Sequence, residues 1–300
     1  MLHQLTITPA ERESSQLAPQ TLTTAVSLLQ TEGYVVLHNV ADSAHMDAIC
    51  GQMYRDIAQY NSTAEEPVKG GNFVPSRKME FLFDDVLMNP FVAAVLGGFM
   101  GPEVSCGMYS SNITMPGLGG QALHVDMKPH EAGADLSGPC PAAVANFPLV
   151  DFTIENGATE LWPGTHRLLR EPGEFEVSPR LQDARRATVP PLRAEMPRGS
   201  VLLRDIRLWH GGKINNCDYI RPMLALIMNG GYKPGQDEMS KIASIGPMPE
   251  GSRNFFMANP AIHYNVDYVT EGIVAGPGHL ARLSTASKTL ADSKMTGMSY

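Results

Sequence analysis

The apolar positions of this chain change their spacing part-way along it. In "DSAHMDAICGQMYRDI" Met46, Ile49, Met53 and Ile57 fall on one face of a helix, and Asp42 or Ser43 supplies its N-cap. That methionine-rich stripe reads as core packing. "NPFVAAVLGGFMG", residues 89–101, predicts a second, more apolar helix that stops at glycine, and a short helix is expected from Thr21 to Gln30. "GYVVLHNV", residues 33–40, is a β-branched and aromatic run of strand length. Residues 1–20 are polar and expected to be loosely held, and "NSTAEEPVKGGN", residues 61–72, reads as loop.

From Glu103 onward the pattern becomes short strand-like runs separated by Gly, Pro and Asn. "EVSCGMYSSNITM", "GQALHVDM", "AAVANFPLVDF", "ATELWPG", "LRAEMP", "SVLLRDI" and "RPMLALIMNGGY" are the successive candidates. Many short strands without helical spacers predict an antiparallel sandwich or barrel, so the fold class is mainly β with flanking helices. We read residues 1–300 as a single domain. It has a mostly helical front layer (1–102), a β core (103–232) and a C-terminal extension (233–300) with a helix near Leu280–Leu290.

With 43% hydrophobic and 18% charged residues in 300, the chain is an ordinary globular one. Its net charge of −8 offers no basic field for a phosphate backbone or an anionic membrane, so nucleic acid and membrane are not expected partners. No segment approaches the roughly 18 uninterrupted apolar residues of a spanning helix, and the start shows no signal-peptide pattern. A cytoplasmic location is therefore expected. Cys50, Cys106, Cys140 and Cys217 form no CxxC pair and read as reduced, mostly buried thiols.

The candidate chemistry starts in "GGQALHVDMKPH", where His124 and Asp126 stand at i and i+2 of a predicted strand and so share a face. Alone, they would be an ordinary hydrogen-bonded pair. His210, at the end of the apolar run "VLLRDIRLWH" and followed by Gly211 and Gly212, supplies a third ligand. Two histidines and one carboxylate form the facial triad of non-haem Fe(II) oxygenases, which leaves the opposite face of the metal open. Arg221 follows the turn-like "GGKINNCDYI" and returns on the next antiparallel strand, where its guanidinium could grip a distal carboxylate. Iron with such an arginine points to a 2-oxo dicarboxylate. His3, His38, His45, His263 and His279 have no ligand-like spacing, His166 and Arg167 are read as shaping the rim of the site, and Trp162 and Trp209 as packing.

Five anchors in order, "EGYVVLHNVADSAHMDAI", the His124–Asp126 triplet, "ENGATELWPGTHR", "LWHGG" and Arg221, resemble the phytanoyl-CoA dioxygenase (PhyH) family of Fe(II)/2-oxoglutarate oxygenases. The likeness is strongest to fungal members that tailor secondary metabolites. It implies a double-stranded β-helix, a cupin-like jelly-roll core, with Fe(II) near its mouth and 2-oxoglutarate and O2 as co-substrates. Decarboxylation of 2-oxoglutarate to succinate and CO2 would be coupled to attack on an unactivated C–H bond. Because Asp126 stands where related halogenases have a small residue, hydroxylation, desaturation or rearrangement is implied over halogenation. The resemblance also implies that Gln121 and Thr159 assist 2-oxoglutarate binding, that Arg77 or Lys78 adds a basic contact, and that the chain forms a homodimer.

Met127, next to Asp126 and at the head of "MKPHEAGADLSGPCP", is placed to face substrate. Such residues favour a greasy polycyclic or acyl molecule over a sugar or free amino acid, and the resemblance to the fungal tailoring members implies an apolar small molecule such as a terpenoid or alkaloid. An acyl-CoA substrate for 2-hydroxylation stays open, with "RLQDARR", residues 180–186, as the one basic run available to receive CoA phosphates, a solvated face being the equal alternative. Two other classes also stay open: a zinc hydrolase built on the same triad, and a non-catalytic jelly-roll binding module.

Overall fold

Runs such as "YVVL", "SVLL" and "MLALIM" carry apolar residues at consecutive positions, which a strand tolerates only when both of its faces are covered. The computed structural model shows what covers them; it describes residues 1–73, 75–76, 78–101, 104–127, 140–168 and 175–230, with the backbone of 262–264. The front segment comprises β1 (Gln4–Thr6), α1 (Pro9–Ser14), α2 (Pro19–Glu32), β2 (Tyr34–His38), α3 (Ser43–Thr63), β3 (Gly71–Phe73), α4 (Asp84–Leu87) and α5 (Pro90–Met100). After it come β4 (Val104–Thr114), β5 (Ala142–Pro148), β6 (Glu160–Leu161), α6 (Pro179–Arg186) and β7 (Leu192–Arg193). The remaining elements are β8 (Val201–Asp205), β9 (His210–Gly211), β10 (Arg221–Gly230) and β11 (Ile262–Tyr264).

An 8-stranded sheet runs in the order β1-β2-β8-β5-β10-β4-β11, with β3 pairing β4, and a 3-stranded sheet runs β7-β6-β9. The pairings of β4, β5, β8 and β10 are antiparallel. Alternation sorts the side chains between two layers. Val35, Leu37, Ala143, Ala145, Phe147, Val201, Leu203, Leu224, Leu226 and Met228 pack with the buried faces of α2, α3 and α5. Their neighbours Tyr34, Val36, Leu202 and Met223 turn the other way, onto Ala158, Leu161 and Ala194 of the small-sheet region. The second layer makes this a two-sheet jelly roll whose interior lies between the sheets.

Several expectations change. Residues 1–20 are not loose: β1 pairs in parallel with β2, and α1 starts on a Thr8–Glu11 capping box. A strand of 3 residues is too short to show alternation, so its order comes from backbone pairing. "GQALHVDM" is not a continuous strand; His124 alone forms bridges, to Glu176 and to His210. "RLQDARR" forms most of α6, a helix inside the predicted all-strand region; none of its residues is buried, so no apolar period announced it. His166 is buried, bonds the Gln30 carbonyl through Nε2 at 3.2 Å, and packs on Gly33. The helix expected near 280–290 lies outside the described residues.

β10 lies inside the large sheet, pairing with β4 on one edge and β5 on the other. Leu224, fully buried on its helix-facing side, should therefore cost about 2–5 kcal/mol when replaced by alanine. The exposed Leu118→Ala should stay within about 0.5 kcal/mol. Urea denaturation of the two variants checks both values.

Candidate metal centre

The HxD segment is held in place by three partners in turn. His124 and His210 exchange backbone N–H···O bonds of 2.9 Å, Val125 N–H donates to Phe175 O, and Asp126 N–H donates to Ile206 O. Leu123 and Val125, on the face away from the site, are buried with Trp162, Val177 and Trp209. His210 is delivered by a turn in which the Asp205 carboxylate accepts from Arg207 N–H, Nε and Nη2 at 2.7–2.9 Å. Trp209 is then pinned by Thr165 Oγ1, which accepts its backbone N–H at 3.0 Å.

These supports bring the ligand atoms of His124, Asp126 and His210 within 4.8 Å of one another. His124 Nε2 lies 3.6 Å from Asp126 Oδ1, and His210 Nε2 lies 3.5 Å from Asp126 Oδ2. Each imidazole is engaged at its other nitrogen: Nδ1 of His124 with Ala122 O at 2.8 Å, and Nδ1 of His210 with Leu208 O at 2.9 Å. A carbonyl can only accept, so both Nδ1 atoms carry a proton, and in the neutral imidazole the Nε2 lone pair is the one left for a ligand. That is the tautomer a metal requires. Burial, reinforced by the nearby Arg204 cation, holds the His210 imidazole well below its ordinary range and thus neutral. Burial alone would raise the Asp126 carboxyl, but the Arg204 guanidinium outweighs it and holds it well below the usual carboxylate range.

Arg204 escaped the sequence reading. Its side chain is 6% exposed, and its Nη2 bonds Asp126 Oδ2 at 2.5 Å. Its Nε donates to Asn146 Oδ1 at 3.1 Å. The signal was present as one arginine in the apolar run "SVLLRDI" and one asparagine in "AAVANFP".

Gln121 bonds β9's continuation: its Oε1 accepts Gly212 N–H at 2.7 Å, leaving its amide nitrogen as a donor. A Cβ on Gly212 would lie 2.8 Å from that oxygen, so glycine is needed for the approach. Gly157, at φ +81, presses so closely on Lys213 that a Cβ would stand 2.2 Å from its carbonyl oxygen. This close contact seats Thr159, which is buried and whose carbonyl accepts Ala194 N–H at 2.9 Å, at the head of β6 opposite β9.

Arg221 opens β10 and is 1% exposed. Its Nη2 bonds Thr114 Oγ1 and its guanidinium carbon sits 4.6 Å from the Phe152 ring centroid, while Nε and Nη1 have no partner among the described residues. Burial, with a contribution from the nearby Arg193, pushes its pKa down to about 10. A cation buried with two idle donors is what a dicarboxylate co-substrate would complete. Met127 is half-buried against Ala142, Val144 and Ile206. Arg77 lies outside the described residues.

A jelly roll with a His/Asp/His group between its sheets is the frame of one enzyme class, and the chain belongs to it: the phytanoyl-CoA dioxygenase (PhyH) family profile matches residues 29–223. Among curated relatives, dioxygenase FUM3 of Gibberella moniliformis is 31% identical over 172 residues, 54% of this chain and 53% of that one. Dioxygenase aneA of Aspergillus aculeatus is 31% identical over 130 residues, 42% and 41% of the two chains. The chain thus spans about half the length of these relatives or less. Among solved structures, the epimerase SnoN, in complex with Fe3+, α-ketoglutarate and nogalamycin RO, aligns with a TM-score of 0.56 at 18% identity, over 77% of this chain and 94% of that one. EctD from S. alaskensis, with 2-oxoglutarate and 5-hydroxyectoine, aligns at 0.55 and 14% identity, over 71% and 76%. At these identities the structural likeness shows the fold.

The lowered Arg221 pKa has a consequence for stability. The charged form is disfavoured by folding, so its cost is fully present below pH 10 and fades only as the pH rises above that value. Arg221→Met should therefore leave the ligand-free protein with a Tm equal to or above wild type at pH 7. Calorimetry decides: a lowered Tm would make Arg221 a structural cation.

Proposed function

We propose that this protein is an Fe(II)/2-oxoglutarate-dependent dioxygenase that oxidises an apolar small molecule. The observation that carries the reading is the conjunction of two Nε2 lone pairs and a carboxylate within 4.8 Å with a buried arginine that has two unpartnered donors. His124, Asp126 and His210 would hold the metal, with their backbone-bonded Nδ1 atoms fixing which nitrogen binds. Iron bound there would, with 2-oxoglutarate and O2, supply the oxidation of a C–H bond.

The chain's own part is to orient and to exclude water. Arg221, backed by Thr114 and the Phe152 face, would grip the distal carboxylate of 2-oxoglutarate, and its near-complete burial makes that contact strong. The Gln121 amide and the Thr159 hydroxyl would add weaker contacts. Met127, beside the half-buried Ala225 and Ile227, would meet the substrate's apolar surface.

A zinc hydrolase on the same triad gives Arg221 no task. An acyl-CoA substrate is disfavoured because the α6 arginines are occupied: Arg185 bonds the Pro163 carbonyl, and Arg186 pairs with Asp183 at 3.1 Å and lies over Trp162. Secondary-metabolite tailoring is supported by the fungal dioxygenase relatives and by SnoN and SnoK, structural relatives from nogalamycin biosynthesis. The reaction in this reading is hydroxylation, desaturation or rearrangement, carried out by a cytosolic homodimer. None of the described helices is long and apolar enough to cross a membrane.

Succinate formation from 2-oxoglutarate tests the proposal. It should require added Fe(II) and fall to background in His210→Ala and Asp126→Ala, whereas Arg221→Ala should chiefly raise the 2-oxoglutarate concentration needed. Succinate release that survives His210→Ala, or that Zn(II) supports, would sink the assignment.

A further inference from the structure

We infer that Arg204 is a positioning residue that keeps Asp126 a one-oxygen ligand of the metal. This rests on the triad's being the metal site, as proposed above. The two carboxylate oxygens of Asp126 are placed almost symmetrically, Oδ1 3.6 Å from His124 Nε2 and Oδ2 3.5 Å from His210 Nε2. Nothing in the histidine geometry chooses between them. Arg204 does: its Nη2 is 2.5 Å from Oδ2, a charge-assisted bond that draws on the lone pairs of that oxygen and leaves Oδ1 the better ligand.

The choice matters because of how many positions the metal must keep open. An octahedral ion held by three protein atoms has three positions left, which a chelating 2-oxo acid and dioxygen together fill. If Asp126 bound through both oxygens, one of those positions would be lost.

The guanidinium is itself fixed from behind. Nε donates to Asn146 Oδ1 at 3.1 Å, and Asn146 Nδ2 reaches the Leu224 carbonyl on β10 at 3.5 Å. Arg204 is thereby anchored through two neighbouring strands of the large sheet, β5 and β10.

A purely structural ion pair explains these observations less well. Arg204 is held more closely than a counter-ion needs to be: its Nε is fixed by Asn146 Oδ1, while its Nη1 is buried with no partner among the described residues. Val144, directly across the β5–β8 pairing from Arg204, is buried with the apolar Ala142 and Ile206. An apolar side chain at position 204 would pack there at less cost than a buried cation with an idle donor.

The test uses anaerobic full-length protein, Fe(II), 2-oxoglutarate and nitric oxide as the dioxygen surrogate. Wild type should bind Fe(II), then 2-oxoglutarate, and still give the high-spin iron–nitrosyl signal in electron paramagnetic resonance. Arg204→Met should weaken Fe(II) binding about 10–100-fold. At saturating iron and 2-oxoglutarate it should also lose the nitrosyl signal. Arg204→Lys, which keeps a charged donor for Oδ2, should recover most of both. Asn146→Ala leaves Arg204 in the chain but removes its anchor, and should weaken both Fe(II) binding and the nitrosyl signal in the same direction; it decides the matter if Arg204→Met does not fold. Unchanged affinity in these variants overturns the inference. A weakened affinity with the nitrosyl signal intact also overturns it, leaving Arg204 an electrostatic partner only. A wild-type protein that binds no Fe(II) removes the metal-site reading, and this inference with it.

Discussion

Two hydrogen bonds, exchanged between the backbones of His124 and His210 at 2.9 Å each, join segments that are far apart in the chain, and the site depends on them. They set the two imidazoles side by side, with ring centroids 4.4 Å apart. Each imidazole is then oriented by a carbonyl two residues away in its own segment. The pairing needs no long strand; it needs the glycines that follow His210, a firm turn before it, and an apolar bed of Trp162 and Trp209 beneath. The large sheet and its helical cover give this mouth a rigid wall.

Within that wall the chain retains two buried guanidinium groups that cost folding stability. Arg204 and Arg221 both stand in strands whose other residues are almost wholly apolar, and both have side-chain nitrogens without partners among the described residues. Low-dielectric surroundings make an unsatisfied cation expensive and a satisfied one strong. Their placement makes sense in a protein that receives anionic oxygen atoms at two points, one on Asp126 and one on an incoming dicarboxylate.

Much of this was legible in the sequence where the physics is local. α3 and α5 follow from period and caps, and β2, β5, β8 and β10 from apolar runs that only doubly covered strands tolerate. His124, Asp126, His210 and Arg221 stood out because polar groups beside apolar strands have few bland explanations. What escaped was set by tertiary partners. β1 exists because β2 offers an edge, α6 because Arg185 and Arg186 reach the turn around Trp162, and the bend in "LHVDM" because its backbone changes partner from His210 to Phe175 to Ile206. Arg204 was read as one more residue of a strand, since no spacing rule links it to Asp126. Only the β5–β8 pairing brings it there.

The proposed function places one metal ion between His124, Asp126 and His210, with 2-oxoglutarate reaching from it to Arg221. A crystal structure of the protein grown anaerobically with Mn(II) and 2-oxoglutarate tests this most directly. Anomalous density is expected for one ion bound by both Nε2 atoms and by Asp126, with the distal carboxylate on the Arg221 guanidinium. An ion bound elsewhere, coordination through either Nδ1, or an Arg221 that 2-oxoglutarate does not touch would contradict it.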